Sequence, residues 1–199
     1  MELDFELIDG QTPLDEEEKE GLLISTITTR QELDEFEQLN IEQAIRWVTG
    51  KKFKAEEILT EDFIKQVHRR MFGSVWAWAG EFRKSNKNIG VDRFEITTAL
   101  HSLLGDGKYW VDHQIYPPDE AAIRFKHRLV KIHCFANGNG RHSRLIGDLV
   151  VEHIFKQPIF SWGSKSNLTK TGKGRDAYIA AIKNADAGYI QPLIQFARL

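Results

Sequence analysis

Between positions 133 and 144 the chain reads His-Cys-Phe-Ala-Asn-Gly-Asn-Gly-Arg-His-Ser-Arg. Gly138 and Gly140 let the backbone turn tightly and present amide N–H groups to an anion. A helix starting near Asn139 or Gly140 adds its free first-turn N–H groups and the positive end of its dipole. Arg141 and Arg144, three apart, project from one face of that helix and can grip several phosphate oxygens. His133, just before the turn, can accept a proton near neutral pH. Together they read as a phosphate cradle with a base beside it. Singly each feature is ordinary, since Gly-Asn-Gly turns are common and arginines usually mark a solvated face. Their joint order and spacing carry the functional reading.

Helices must hold this loop from both sides. Upstream, Phe125, Leu129 and Ile132 stand at helical spacing, and Pro117-Pro118-Asp119-Glu120 suits the first turn of that helix. Downstream, Leu145, Leu149 and Ile154 continue a second helix to about Phe155, with Pro158 beyond it. Earlier in the chain, Thr60-Glu61-Asp62 is a helix start, Phe63, Ile64, Val67, Met71 and Phe72 form its buried face, and Gly73 ends it. Another helix begins at Thr29 or Arg30, carries Leu33, Phe36, Ala44, Trp47 and Val48, and stops at Gly50. Residues 1–30 are acidic and then threonine-rich, which predicts an irregular arm with a short helical turn. The division expected is an N-terminal arm and docking helix over 1–50 and a main domain over 51–199.

The remaining segments are less regular. Trp76 and Trp78 read as core wedges. Residues 84–96, with Asn86, Asn88, a lone Ile89 and Gly90, predict a two-stranded hairpin or a long turn. A helix follows (Leu100, Leu103, Leu104), interrupted by Gly105-Asp-Gly. Thr171-Gly-Lys-Gly-Arg fails the phosphate-loop pattern, because Asn167 replaces the first glycine and Gly174 follows the lysine. It reads as a solvated loop before two closing helices that contain Tyr178 and Tyr189.

Composition narrows the classes. At 199 residues the chain suits one domain with an extension, and its formal charge of −2 does not argue for nucleic acid or an anionic membrane as partner. Cys134 is the sole cysteine, which excludes an internal disulfide and fits a reducing cytoplasm. The acidic start lacks the layout of a secretory signal, and no apolar run reaches the length of a membrane span. A cytoplasmic protein is expected. Cys134 adjoins His133 but sits between motif positions, and His127, His133, His142 and His153 lack zinc-type spacing.

The motif resembles the signature of the Fic family, H-x-F-x-[DE]-G-N-G-R-x-x-R. His133, Phe135, Gly138, Asn139, Gly140, Arg141 and Arg144 match, while Asn137 stands where the family usually has an acid. The resemblance covers roughly residue 60 to the C-terminus and includes a W-A-G-x-x-R stretch ending at Arg83. The wider chain is similar to the subgroup called mobile mystery protein B. The resemblance implies an all-α, Fic-type helical bundle, with the motif loop between two central helices and a short β-hairpin flap at the mouth. It implies transfer of AMP from ATP, with Mg²⁺, to a Ser, Thr or Tyr hydroxyl of a target protein. His133 is then the general base, and Asn137, Gly138, Asn139, Gly140, Arg141 and Arg144 surround the phosphates.

The same resemblance makes Tyr178 a base-pocket candidate, against ordinary core. Asn88, Ile89 and Gly90 become the flap edge that docks an extended target segment through its backbone. Asn137 offers Mg²⁺ only a neutral oxygen and is expected to be a weak ligand. Some family members carry a glutamate on a neighbouring helix that pairs with the motif's last arginine and blocks productive nucleotide binding. Glu37 is the candidate here, although its flanking residues match the family's inhibitory pattern poorly. A helix-turn-helix companion protein is implied by the subgroup. The alternatives are transfer of another nucleotide or of a phosphate, as a toxin would do, and a catalytically weak nucleotide-binding regulatory module.

Overall fold

The computed structural model describes residues 14–163, 168 and 172–199. The first part of the acidic arm, and residues 164–167 and 169–171 of the Gly-Lys-Gly loop, lie outside the described residues. Among those described, the fold is all-α.

The elements begin where capping chemistry places them. A single turn, α1 (Glu16–Glu20), is opened by a capping box between Asp15 and Glu18. The docking helix, α2 (Arg30–Thr49), is opened by a second box between Thr29 and Glu32 and ends at Gly50. It buries Leu33, Glu37, Asn40, Ile41, Ala44 and Val48, so two polar side chains sit within its apolar stripe. After the short α3 (Ala55–Ile58) comes α4 (Glu61–Phe72), capped by the Thr60 hydroxyl. α2 lies along α4. Asn40 clamps them: its Nδ2 donates to the Arg70 carbonyl at 2.9 Å, and its Oδ1 accepts the Ser74 N–H at 2.9 Å. Burying an amide is tolerable because both of its ends are bonded.

The centre is α6 (Pro118–Ile132) against α7 (Asn139–Leu149), with the motif loop between them. α7 runs on as a π-helical turn, Val150–Ile154, so the helix reaches the expected end near Phe155 in a wider winding. α5 (Ile96–Asp112) flanks α6, and α8 (Lys173–Asp186) and α9 (Gln191–Arg198) close the bundle. Two expectations need correction. Gly105 and Gly107 do not interrupt α5. A Cβ on Gly107 would stand 2.9 Å from the Phe125 ring, so the missing side chain lets α5 approach α6 closely.

The flap contains no strand. Residues 84–92 form turns that lead into a 3-10 turn, Arg93–Glu95. Side chains here take the backbone partners that a hairpin ladder would need. Arg83 donates to the carbonyls of Ser85 and Val91, and Asn86 Oδ1 accepts the Arg93 N–H at 2.8 Å. The one β-bridge among the described residues joins Leu22 to Trp76 and straps the N-terminal segment to the turn that follows α4.

Candidate active site

His133 caps α6 in the left-handed conformation, φ 59° and ψ 60°, which costs an L-residue about 1 kcal/mol or more. Arg83 holds it there. The Arg83 Nε donates to the His133 carbonyl at 2.7 Å, and its backbone N–H donates to the Cys134 carbonyl at 2.9 Å. The same guanidinium carries the flap, so one buried arginine fixes base and flap together. Gly90 completes the join: at φ +100°, a Cβ there would lie 2.6 Å from His133 Cβ. Burial above all, then the Arg83 charge, pushes the His133 imidazole down to about 4, opposed by a hydrogen bond to the Val130 carbonyl. The ring is therefore neutral at pH 7 and able to accept a proton.

The loop after His133 is built from its own side chains. Asn139 Oδ1 accepts the Phe135 N–H at 3.0 Å while its Nδ2 donates to the Phe135 carbonyl at 2.8 Å. Asn139 therefore holds the turn, with both the oxygen and the nitrogen of its amide engaged. Asn137 Oδ1 accepts the Gly138 N–H at 2.6 Å. Gly138, at φ +77°, lies on the Phe72 ring, where a Cβ would come within 2.5 Å. Only glycine fits. The helix then starts at Asn139, and no side chain caps its first-turn N–H groups.

His68 on α4 supports the loop from below. It stacks on Phe135 with centroids 3.7 Å apart, its Nε2 meets the Asn137 carbonyl at 3.0 Å, and its Nδ1 accepts the Gly80 N–H at 3.0 Å. These partners fix the tautomer with the proton on Nε2. Burial, with the neighbouring His142 and Arg141 charges, holds His68 well below the usual histidine value. His142, bonded to the Ile64 carbonyl, is pushed down to about 4 by burial. Sequence reasoning gave neither of them, nor Arg83, a role. The available signals were a histidine within the apolar face of α4 and an arginine closing an aromatic-rich stretch.

Arg141 and Arg144 have different surroundings. Arg141 Nη1 lies 2.6 Å from Glu37 Oε2, and the guanidinium sits over the Phe72 ring. Glu37 is 1% exposed, and its other oxygen accepts the Trp76 indole N–H at 2.7 Å. Trp76, read from sequence as a wedge, thus presents Glu37 to the cradle. The Arg141 contact is close but not aligned as a hydrogen bond, so attraction between charges holds it. Glu37 meets the first arginine of the motif, not the last. Arg144 instead stands over Tyr178, 5.4 Å from the ring centre.

Tyr178 is core. It is 5% exposed, and its hydroxyl is bonded to Lys126, so its ring is not offered to a nucleotide base. Cys134 is buried, and burial pushes its thiol up to about 12, which removes it as a nucleophile. On the flap, Ile89 and Phe94 are exposed. Nothing acidic lies in 133–144, the Asn137 oxygen is engaged by Gly138, and no group of three or more His, Cys, Asp or Glu side chains among the described residues is placed to hold a metal ion. The donor set does not make a metal site by itself. A divalent ion would depend on the phosphates of a bound nucleotide. No helix of the described residues is long and apolar enough to cross a membrane.

Known proteins resemble this chain in sequence and in fold. The Fic/DOC family model matches residues 58–151. A curated relative, the protein adenylyltransferase Fic of Nematostella vectensis, is 26% identical over 168 residues, covering 82% of this chain and 37% of the relative. The Aedes aegypti protein of the same name is 26% identical over 80% of this chain and 31% of its own length. The chain thus spans about a third of the curated relatives it matches. Among solved structures, a Fic-1 fragment from C. elegans superposes with a TM-score of 0.66 at 20% identity, over 90% of this chain and 51% of that one. BepC of Bartonella tribocorum, solved with bound AMPPNP, gives 0.62 at 16% identity, over 92% and 97%. These two likenesses are of fold.

Proposed function

The chain belongs to the Fic/DOC family, and from that premise we propose that it is a protein adenylyltransferase, moving AMP from ATP to a Ser, Thr or Tyr hydroxyl of a target protein. The observation that carries the reading is a neutral, buried His133 locked beside an open helix N-terminus that bears Arg141 and Arg144. Nδ1 of the ring is buried, which leaves Nε2 as the nitrogen that takes the hydroxyl proton. As the hydroxyl oxygen attacks the α-phosphorus, the bond to the bridging oxygen breaks and pyrophosphate leaves. Negative charge grows on the leaving group, where the loop N–H groups and the two guanidiniums can neutralise it.

Glu37 restrains this site in the proposal. While it holds Arg141, that guanidinium is not available to phosphates, and a carboxylate occupies the cradle. Restraint built into the chain makes restraint by a separate companion protein, such as a helix-turn-helix partner, less necessary. The flap residues Asn88, Ile89 and Gly90 would align the target backbone beside His133, since Gly90 already touches it. A lone buried cysteine suits a reducing compartment such as the cytoplasm.

Label transfer from ATP tests the reading, with wild type, Glu37→Gly and His133→Ala each supplied with α-labelled or γ-labelled nucleotide and host lysate. α-Label appears on protein, most strongly with Glu37→Gly, and disappears with His133→Ala. γ-Label alone would make the protein a kinase. Bound ATP with no label in any variant would make it the regulatory module.

A further inference from the structure

Behind Arg144 lies a second cation for which the reading above has no use. Lys126 on α6 has no exposed surface. Its Nζ bonds the Tyr178 hydroxyl at 2.5 Å and lies 4.8 Å from the Tyr178 ring centre and 5.8 Å from that of Trp162. Among the described residues no carboxylate comes within ion-pairing distance of it. An ammonium buried in this way carries a heavy desolvation cost, which the two ring faces and one hydroxyl offset only in part. Methionine would fill the same space without that cost.

The charge continues toward the cradle. Tyr178 stands between Lys126 and Arg144, with Arg144 on its ring face. Burial alone would raise the phenol's proton affinity, but the two flanking cations outweigh it and hold Tyr178 below its usual value. The carboxylate one helical turn beyond Arg144 is Asp148, and its oxygens accept the Trp162 indole N–H and the Phe160 N–H. Asp186 acts on Lys126 only from beyond pairing distance and is shared with His127 and Lys131, and burial holds the Asp148 carboxyl up to about 7, so Lys126 and Arg144 keep a surplus of positive charge at the edge of the cradle. The loop itself supplies no acid, because Asn137 replaces the family's carboxylate. A polyphosphate is the counter-charge this arrangement lacks.

We propose that Lys126 is a positioning residue for the phosphate cradle: acting through Tyr178, it fixes Arg144 and adds positive potential behind it, so that the site favours nucleotides carrying β and γ phosphates over monophosphates. This rests on the nucleotide reading above and adds to it a specificity carried by charge outside the motif. The Lys126 stem also supports α7 at Gly147, where a Cβ would lie 3.2 Å from Lys126 Cβ, so substitutions must keep the stem.

The test uses the full chain with Glu37→Gly, so that the carboxylate does not mask Arg141. Dissociation constants for ATP and for AMP are measured by calorimetry in the presence of a chelator, which removes any charge a divalent ion would bring. Adding Lys126→Met weakens ATP about tenfold and leaves AMP within about twofold, because only the tri-phosphate reaches the charge that is lost. Lys126→Arg restores part of the preference. Tyr178→Phe removes the relay oxygen alone and lowers the ATP-to-AMP preference in the same direction, which keeps the test decisive if Lys126→Met does not fold. Equal weakening of ATP and AMP in both variants, or no change in either, overturns the role of Lys126 and leaves the transferase reading standing. Failure of the Glu37→Gly parent to bind ATP at all overturns both.

Discussion

Replacing Glu37 with glutamine should make the protein less stable and better at binding ATP. Removing one partner of a buried ion pair costs about 3–5 kcal/mol when the survivor is fully enclosed. Here the Arg141 side chain keeps 21% of its surface in water, and its contact with Glu37 lacks hydrogen-bond alignment. A cost of about 1–3 kcal/mol is therefore appropriate for Glu37→Gln, whose remaining carbonyl oxygen can still accept the Trp76 indole proton. For a domain of this size, about 2–4 °C of melting temperature follows each kcal/mol, so the midpoint should fall by about 2–12 °C. The same pair is what incoming phosphates must displace. Its loss should improve ATP affinity by about 5- to 150-fold, at about 1.4 kcal/mol for each tenfold. Differential scanning fluorimetry and calorimetric titration on the two proteins give both numbers. A lower midpoint with unchanged ATP affinity would refute the reasoning, because Glu37 would then be a structural ion pair and no barrier to nucleotide.

Two further outcomes follow from the site's charges. Asn137→Asp restores a carboxylate beside the cradle and should raise label transfer at low Mg²⁺, with the gain shrinking as Mg²⁺ saturates; an unchanged Mg²⁺ dependence would remove Asn137 from any contact with the ion. Acid should destabilise the fold, because His68, His133 and His142 are all held below the ordinary value of 6.5 by burial. The unfolded chain binds those protons first, so the stability they contribute is present above pH 6.5 and is lost as pH falls from 6.5 toward 4. Asp148 works the other way: burial raises it to about 7, so the folded chain keeps its proton longer and stability falls as pH rises from about 4 to 7. Melting temperatures across pH 4.5–7.5 should therefore drop on the acid side, and more steeply in Asp148→Asn, where the opposing contribution is gone. A flat profile in both proteins would contradict these shifts.

The cradle was legible in sequence because its parts are contiguous: a helix, a Gly-Asn-Gly turn and a helix start impose their geometry within twelve residues. What was not legible depends on distant side chains that share one buried space. Glu37 could be nominated from the family resemblance, yet only packing shows its partners: Trp76 donates to one oxygen and Arg141 faces the other. Arg83 ended a recognisable stretch, but its hold on both the His133 carbonyl and the flap arises from three backbone acceptors scattered over 85, 91 and 133. The hairpin expectation failed for the same reason, since local pattern could not foresee an arginine and an asparagine taking the partners of a ladder. Tyr178 went from nucleotide contact to core because Lys126, fifty-two positions earlier, claims its hydroxyl. A tyrosine's polar tip points wherever a partner waits, and sequence does not say where that partner is. Glu37, Arg83, Lys126 and Tyr178 are polar and buried, a state that is stable only with partners. A charged, tyrosine or tryptophan side chain on an otherwise apolar face is thus a prompt to ask which other segment completes it. Asked of Lys126 on the apolar face of α6, that question leads to Arg144 and the phosphates it would hold.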